Sequence, residues 1–433
     1  MNNKGGLLGS MPEGHKPFGC RVLAESPVLT YSLSLLLVVT TNTLPGMVGG
    51  RSTILTMLFL AECIAVLSLV WANTRLDRDV LGRWIIWVVV LATVYMFICV
   101  NVGEFSRFGA SMVCLFAVVP ITLAALQRAS LLDVYLRAFV NTMVIVALVS
   151  LVLWIFGPVL GLIEMNCAII NKWGGNGLTW YTNGYFNLQY VPQWQNLPMG
   201  IGLFRNTSFF AEAPMYSYAL CCALLIELFC TKARRMWITL LLSVTVITTF
   251  SSTGVIFLLG VILIEALRKV RTKKGSTRTF LMLLFAVLFL VGSWLAFTVF
   301  DGKMQTSSGS TRLDDFAAGF KAWSRSPWFG YGFTNTDVVK SYMSAFRADN
   351  LGFSNSLFQT LVMGGVFWLT PYIIGLCGYL KSSRAMKFAG ILLLFLWVVT
   401  VVSNIPLTVF MFGLGVSKVI APDGEHHRAG EVN

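Results

Sequence analysis

The chain has 433 residues, of which 56% are hydrophobic and 12% charged, with a mean hydropathy of +0.74 and a net charge of +13. So little charge on so long a chain excludes an ordinary soluble domain and points to a polytopic membrane protein. The basic residues are scattered among turns and form no stripe with interleaved aromatics, which excludes a nucleic-acid partner.

In chain order, residues 1–27 are polar and mixed, and the first apolar run lacks a small-x-small cleavage pattern. The expectation is a cytoplasmic tail and a retained first helix, not a cleaved signal. Twelve apolar runs are long enough, or nearly so, to cross a hydrocarbon core of about 30 Å. They lie at roughly 28–45, 52–72, 84–102, 108–126, 134–156, 213–230, 236–250, 253–267, 279–300, 356–380, 388–402 and 405–420. The seventh, eighth and eleventh are short and suit tilted or re-entrant segments. The expected fold is an all-α polytopic membrane protein of about 12 transmembrane helices, one membrane domain over residues 1–433. Two large loops, 157–211 and 301–353, interrupt it, and the tails are 1–27 and 421–433.

Lysine and arginine in short loops set the orientation. With the N-terminus inside, inner loops hold sixteen: Arg75, Arg78, Arg83, Arg128, Lys232, Arg234, Arg235, Arg268, Lys269, Arg271, Lys273, Lys274, Arg278, Lys381, Arg384 and Lys387. The short outer loops hold two, Arg51 and Arg107. Both termini are therefore expected in the cytoplasm and both long loops in the periplasm. The basic turn 268–278 acts as a topology anchor, with a lipid-headgroup contact as its other reading. Of nine cysteines, Cys63, Cys99, Cys114, Cys221, Cys222 and Cys377 fall within spans and Cys167 in an outer loop, so no disulfide framework is implied.

The first long loop carries Trp173, Trp180, Tyr181, Tyr185, Phe186, Tyr190 and Trp194 among Asn, Gln and Gly. Such rings stack on sugar faces, and they also anchor at a membrane interface; both readings stand. In the second loop, Arg312, Phe316, Gly319, Phe320 and Trp323 share one face of an expected amphipathic helix. Thr311 and Asp314 fit a capping box that would put Arg312 in the first turn, a favourable anion site. Residues 326–333 are expected to be turn and loop.

The three histidines, His15, His426 and His427, lie in the tails, so outward proton transfer needs another residue type and no histidine metal site faces outward. The second loop has six basic residues against five acidic ones, so single placed charges must act there. Arg205 lies seven residues before Glu212. An arginine in a water-restricted pocket can hold a diphosphate bidentately and stabilise it as a leaving group, while a carboxylate takes the proton from an attacking hydroxyl. An Arg–Glu pair bracing the loop is the other reading. Glu62 is the one central intramembrane acid, either functional or simply hydrogen-bonded.

Several elements together resemble the bacterial O-antigen polymerase and ligase family. They are Arg205 to Pro214, Ser251-Ser252-Thr253-Gly254, Ser310-Thr311-Arg312 with Trp323 and Pro327, Gly330-Tyr331-Gly332-Phe333, and Ser354-Asn355-Ser356-Leu357 leading to Gly364-Gly365. The resemblance spans about residues 200–370. It implies a membrane-integral inverting glycosyltransferase of the inner membrane, needing no cofactor or metal. The implied substrate is an undecaprenyl-diphosphate-linked oligosaccharide, with a chain-length regulator and a flippase of the same pathway as implied partners beside the bilayer. It carries diphosphate contacts to Arg205 and Arg312. Family ligases place His-Asn where this chain has Ser354-Asn355, and Ala213 interrupts the family's Glu-Pro pair.

The resulting expectation is a repeat-unit polymerase of exopolysaccharide or O-antigen biosynthesis. Its catalytic set is Arg205, Arg312, Glu212 as base and Asp315 behind it. Trp180, Tyr190, Trp194, Trp323, Arg325, Tyr331, Ser354 and Asn355 are the substrate contacts. The alternatives are a ligase acting on a lipid or protein acceptor, and a glycolipid flippase, which would favour an internal repeat and several intramembrane charges.

Overall fold

The structure, a computed structural model, describes residues 26–73, 77–171, 180–196, 202–271, 275, 307–347 and 352–422. The apolar run 279–300, both tails, Trp173 and most of the 268–278 turn lie outside the described residues, as does the side chain of Trp180. Each of the other apolar runs corresponds to helix. Before the first long loop come α1 (Pro27–Val39), α2 (Arg51–Asn73), α3 (Arg78–Val102), α4 (Arg107–Arg128) and α5 (Leu132–Trp154). After it come α6 (Ala213–Leu225), α7 (Met236–Thr248) and α8 (Ser252–Arg271). The second long loop contributes α9 (Ser307–Arg325). Then follow α10 (Ser356–Gly364), α11 (Thr370–Lys381), α12 (Arg384–Val399) and α13 (Pro406–Ile420). Among the described residues, five helical stretches have the length and composition to cross a membrane: 44–72, 78–102, 107–128, 132–159 and 213–230.

Burial separates these helices into two kinds. α6 is buried on every side, consistent with an apolar sequence lacking a polar face. α13 is nearly as enclosed, and glycines bring it against α11: a Cβ on Gly378 would lie 1.9 Å from the Gly415 carbonyl oxygen. By contrast α2 and α3 turn a succession of large apolar residues outward, among them Ile54, Met57, Leu58, Ile86, Val89 and Phe97. That inversion is expected of helices whose outer solvent is hydrocarbon.

The first long loop adds sheet that the helical pattern does not disclose. β1 (Cys167–Asn171), β2 (Trp180–Tyr185) and β3 (Gln189–Tyr190) form an antiparallel sheet in that order. β4 (Trp194–Asn196) pairs with β5 (Gly202–Phe204). The β2–β3 turn puts Phe186 and Asn187 at φ 53° and 57°, the left-handed pair of a tight hairpin. Alternating exposure of Tyr181, Thr182, Asn183 and Gly184 follows the period of two that a half-buried strand requires.

Ion pairs mark both ends of the bundle. At the end away from the two long loops, Arg128 pairs with Asp77, Arg137 with Asp133 and Arg235 with buried Glu227, while Arg234 and Arg268 share Glu265. The loop end holds Arg205, Glu212 and Arg312, and in the second loop Arg347 pairs with Asp314 and Asp315.

Candidate functional site

The site assembles where three helix breaks meet at the loop end. α7 stops at Thr248, and Phe250 takes a left-handed φ of 49° before α8 begins. This break turns the last carbonyls of α7 toward the first loop. Asn206 donates its backbone N–H to Thr248 O at 3.1 Å and its amide to Thr248 Oγ1 at 3.0 Å. Arg205 donates Nε to Thr249 O at 2.8 Å. Gly254, at the start of α8, has to be small, because a Cβ there would lie 2.3 Å from Ser217 Oγ. The Ser251–Gly254 stretch thus packs α8 against α6, beside the docking point of Arg205.

Arg312 arrives from α9 and donates Nη1 to Val399 O, at the end of α12, at 2.8 Å. The expected capping box is corrected by the structure. α9 begins at Ser307, so Arg312 lies in the second turn and not beside helix N–H groups. Asp314 instead accepts from Ser344 and from Arg347 Nη1. The expected shared face is present: Phe316 and Phe320 pack edge-on against Phe358 of α10, and Gly319 lets Phe358 approach.

Electrostatics links the two arginines. Burial pushes the Arg205 guanidinium down to about 10, with the negative charge of Glu212 acting the other way and the positive charge of Arg312 adding to the depression. Among the described residues, Glu212 and Arg312 therefore both act on Arg205, one charge of each sign. Among the described residues Arg205 makes one side-chain hydrogen bond, through Nε. Its forked Nη groups have the geometry that grips phosphate oxygens in pairs.

Glu212 occupies the N-cap position of α6, and its side chain makes no capping hydrogen bond. Asp315, the reserve base, is held differently. It is buried, accepts from Arg347 Nη1 at 2.8 Å, and takes both the backbone N–H and the hydroxyl of Ser354. Burial raises its pKa in spite of these bonds. Arg347 also donates to Thr311 O at 3.0 Å and Gly352 O at 2.6 Å. Asp315 and Ser354 thus join α9 to the approach to α10. Sequence reading counted Arg347 as one basic residue among six. The adjacent acids Asp314 and Asp315 were the available signal that a buried cation would be needed.

The other expected contacts divide by exposure. Tyr190 is fully buried with Leu44 and Ala211 in the core of the loop, and its hydroxyl donates to Asn187 Oδ1. Trp194 presents its ring outward, 56% exposed, resting edge-on against Phe204 at 4.7 Å. Trp323 is half-buried and donates Nε1 to Pro327 O at 3.1 Å. Tyr331 reaches Ala322 O at 3.2 Å, while Arg325 is exposed nearby and its charge acts on Tyr331. Residues 326–333 form the expected turn, with Gly330 and Gly332 at positive φ. Asn355 caps α10 through Oδ1, accepting from Phe358 N at 3.0 Å. Its Nδ2 is buried with no hydrogen-bond partner among the described residues. Glu62 lies apart in α2, where Ser32 of α1 donates to it, the structural reading of that acid.

No curated protein matches the chain, and no solved structure does. Residues 237–373, running from α7 into α11 and including Arg312, Ser354 and Asn355, match the family model described as O-antigen ligase, which supports the O-antigen ligase and polymerase family for this chain.

Proposed function

We propose that the protein is a repeat-unit polymerase of O-antigen or exopolysaccharide biosynthesis, acting on undecaprenyl-diphosphate-linked oligosaccharides at the periplasmic face of the inner membrane. The family match and the apolar helices support a membrane protein of O-antigen or polysaccharide biosynthesis. One observation supports a lipid-diphosphate substrate: among the described residues, the partly buried Arg205 guanidinium feels a second one, Arg312, and the carboxylate of Glu212. Such an arrangement favours an anion with paired oxygens, and a diphosphate supplies them.

In this mechanism a hydroxyl at the non-reducing end of one lipid-linked unit attacks the anomeric carbon of a chain held on a second lipid diphosphate. The new carbon–oxygen bond forms as the bond from anomeric carbon to phosphate oxygen breaks. The electron pair stays on the diphosphate, which Arg205 and Arg312 stabilise. The hydroxyl proton passes to Glu212. Attack opposite the leaving group inverts the anomeric centre. The exposed Trp194 and Arg325 are the proposed sugar contacts, and Trp323 and Tyr331 shape the second loop. The lipid tails lie along the outward apolar faces of the bundle, within a single membrane domain of about 12 spans.

Ligase action differs only in the acceptor. Purified protein supplied with lipid-linked repeat units alone is expected to give a ladder of lengths. Product that forms only after a separate lipid or protein acceptor is added would replace polymerase by ligase. Arg205→Ala and Arg312→Ala are each expected to leave single units in cells with protein levels intact. A normal ladder from either variant would remove that residue from the mechanism.

A further inference from the structure

Glu212 poses a local problem. A carboxylate at a helix N-cap ordinarily turns back to accept from the first-turn N–H groups, and one so engaged is a poorer base. The backbone donors at the start of α6 can be followed one by one. Pro214 has no N–H. The N–H groups of Met215 and Tyr216 go to the Glu212 carbonyl, at 3.1 and 3.3 Å. The remaining one, Ala213 N–H, donates to Gln193 Oε1 at 3.0 Å. None of the four positions calls on the Glu212 carboxylate.

Gln193 is fixed at its other end by the same loop. Residues 190–194 run antiparallel to 204–208, with Tyr190 N–H donating to Ser208 O at 2.8 Å and Trp194 paired with Phe204. Within that ladder Arg205 N–H donates to Gln193 O at 3.0 Å. One residue therefore holds the backbone of Arg205 with its carbonyl and the first N–H of the Glu212 helix with its side chain.

We propose that Gln193 is a positioning residue. It caps α6 in place of Glu212, keeps that carboxylate out of the helix terminus and sets its distance from Arg205. The inference rests on the reading of Glu212 as the base. Among the described residues, Arg205 interacts electrostatically with Glu212 and with Arg312.

The test follows turnover against pH, with purified protein in nanodiscs and the protein's own lipid-linked repeat unit, extracted from cells that lack it. Gln193→Met keeps the volume and removes the acceptor, so Glu212 is drawn to Ala213 N–H. Turnover should fall about 10- to 100-fold, as for a misplaced catalytic group. KM should change little, and the acid limb should move to lower pH. Gln193→Asn keeps the amide but is too short to reach Ala213 N–H, so its acid limb should move the same way. A merely structural role would move neither limb. Should Gln193→Met not fold, the direction of the limb in Gln193→Asn still decides. Unmoved limbs in folded variants overturn the role of Gln193, provided Glu212→Gln is inactive. An active Glu212→Gln overturns instead the reading of Glu212 as the base.

Discussion

Arg205 is costly to the protein wherever no anion meets it. Its charge is largely removed from water, Arg312 acts against it and Glu212 offsets only part of the cost. Even pushed down to about 10, the guanidinium stays protonated throughout the neutral range, so the pocket keeps its charge. Lysine starts about two units lower than arginine, and the same burial pushes it down further. Its cation is present below the lowered pKa and lost above it. Arg205→Lys is therefore expected to lose activity as the pH rises into the alkaline range. Wild-type protein should stay level over the same interval. Parallel pH profiles for the two would show that the charge at this position is not what the reaction uses.

At the scale of elements, the second loop is held by a buried ion cluster more than by helix propensity. α9 is amphipathic, and its apolar side meets Phe358 of α10. Its polar side buries Asp314 and Asp315 against Arg347, which is 1% exposed. Five hydrogen-bond positions on the guanidinium suit it to join Thr311, Asp314, Asp315 and Gly352 at once, which a lysine cannot do. Arg347→Ala leaves two buried carboxylates without their cation and should cost about 3–5 kcal/mol. The loss would be read as a lower denaturation midpoint in detergent. Activity should fall with it, since α9 carries Arg312. A variant as stable as wild type would show that α9 is held by its aromatic face alone.

For the whole molecule, the charge asymmetry gives a direct test of orientation. In a background with the native cysteines replaced, Trp194→Cys and Arg325→Cys should react with an impermeant maleimide on intact spheroplasts. Lys381→Cys, exposed at the opposite end, should react only after permeabilisation. The reverse pattern would put both loops in the cytosol and end the proposed reaction, because its lipid-linked substrates face the periplasm. The inward and outward helices fit the same frame. α6 and α13 are enclosed, whereas α2 and α3 present large aliphatic side chains to what would be lipid.

The helices were legible in the chain because membrane spans are set by composition, and each backbone polar group must be satisfied within its own segment. The aromatic face of α9 and the turn at 326–333 were legible for a similar reason: periodicity and glycine act locally. Arg205 and Arg312 could be singled out by their loop settings. Folding decided what their neighbours are. The sheets of the first loop, the burial of Tyr190, the capture of Asp315 by Arg347 and the cap supplied by Gln193 all join residues distant in sequence. A hydrogen bond between such residues leaves no period and no spacing to read. Charge balance in a loop likewise does not say which cation will be buried. Sequence alone determined where helices run and which charges deserve suspicion. The tertiary structure decided which of those charges brace the fold and which neighbours the others have, because burial and partner choice arise only when distant segments pack.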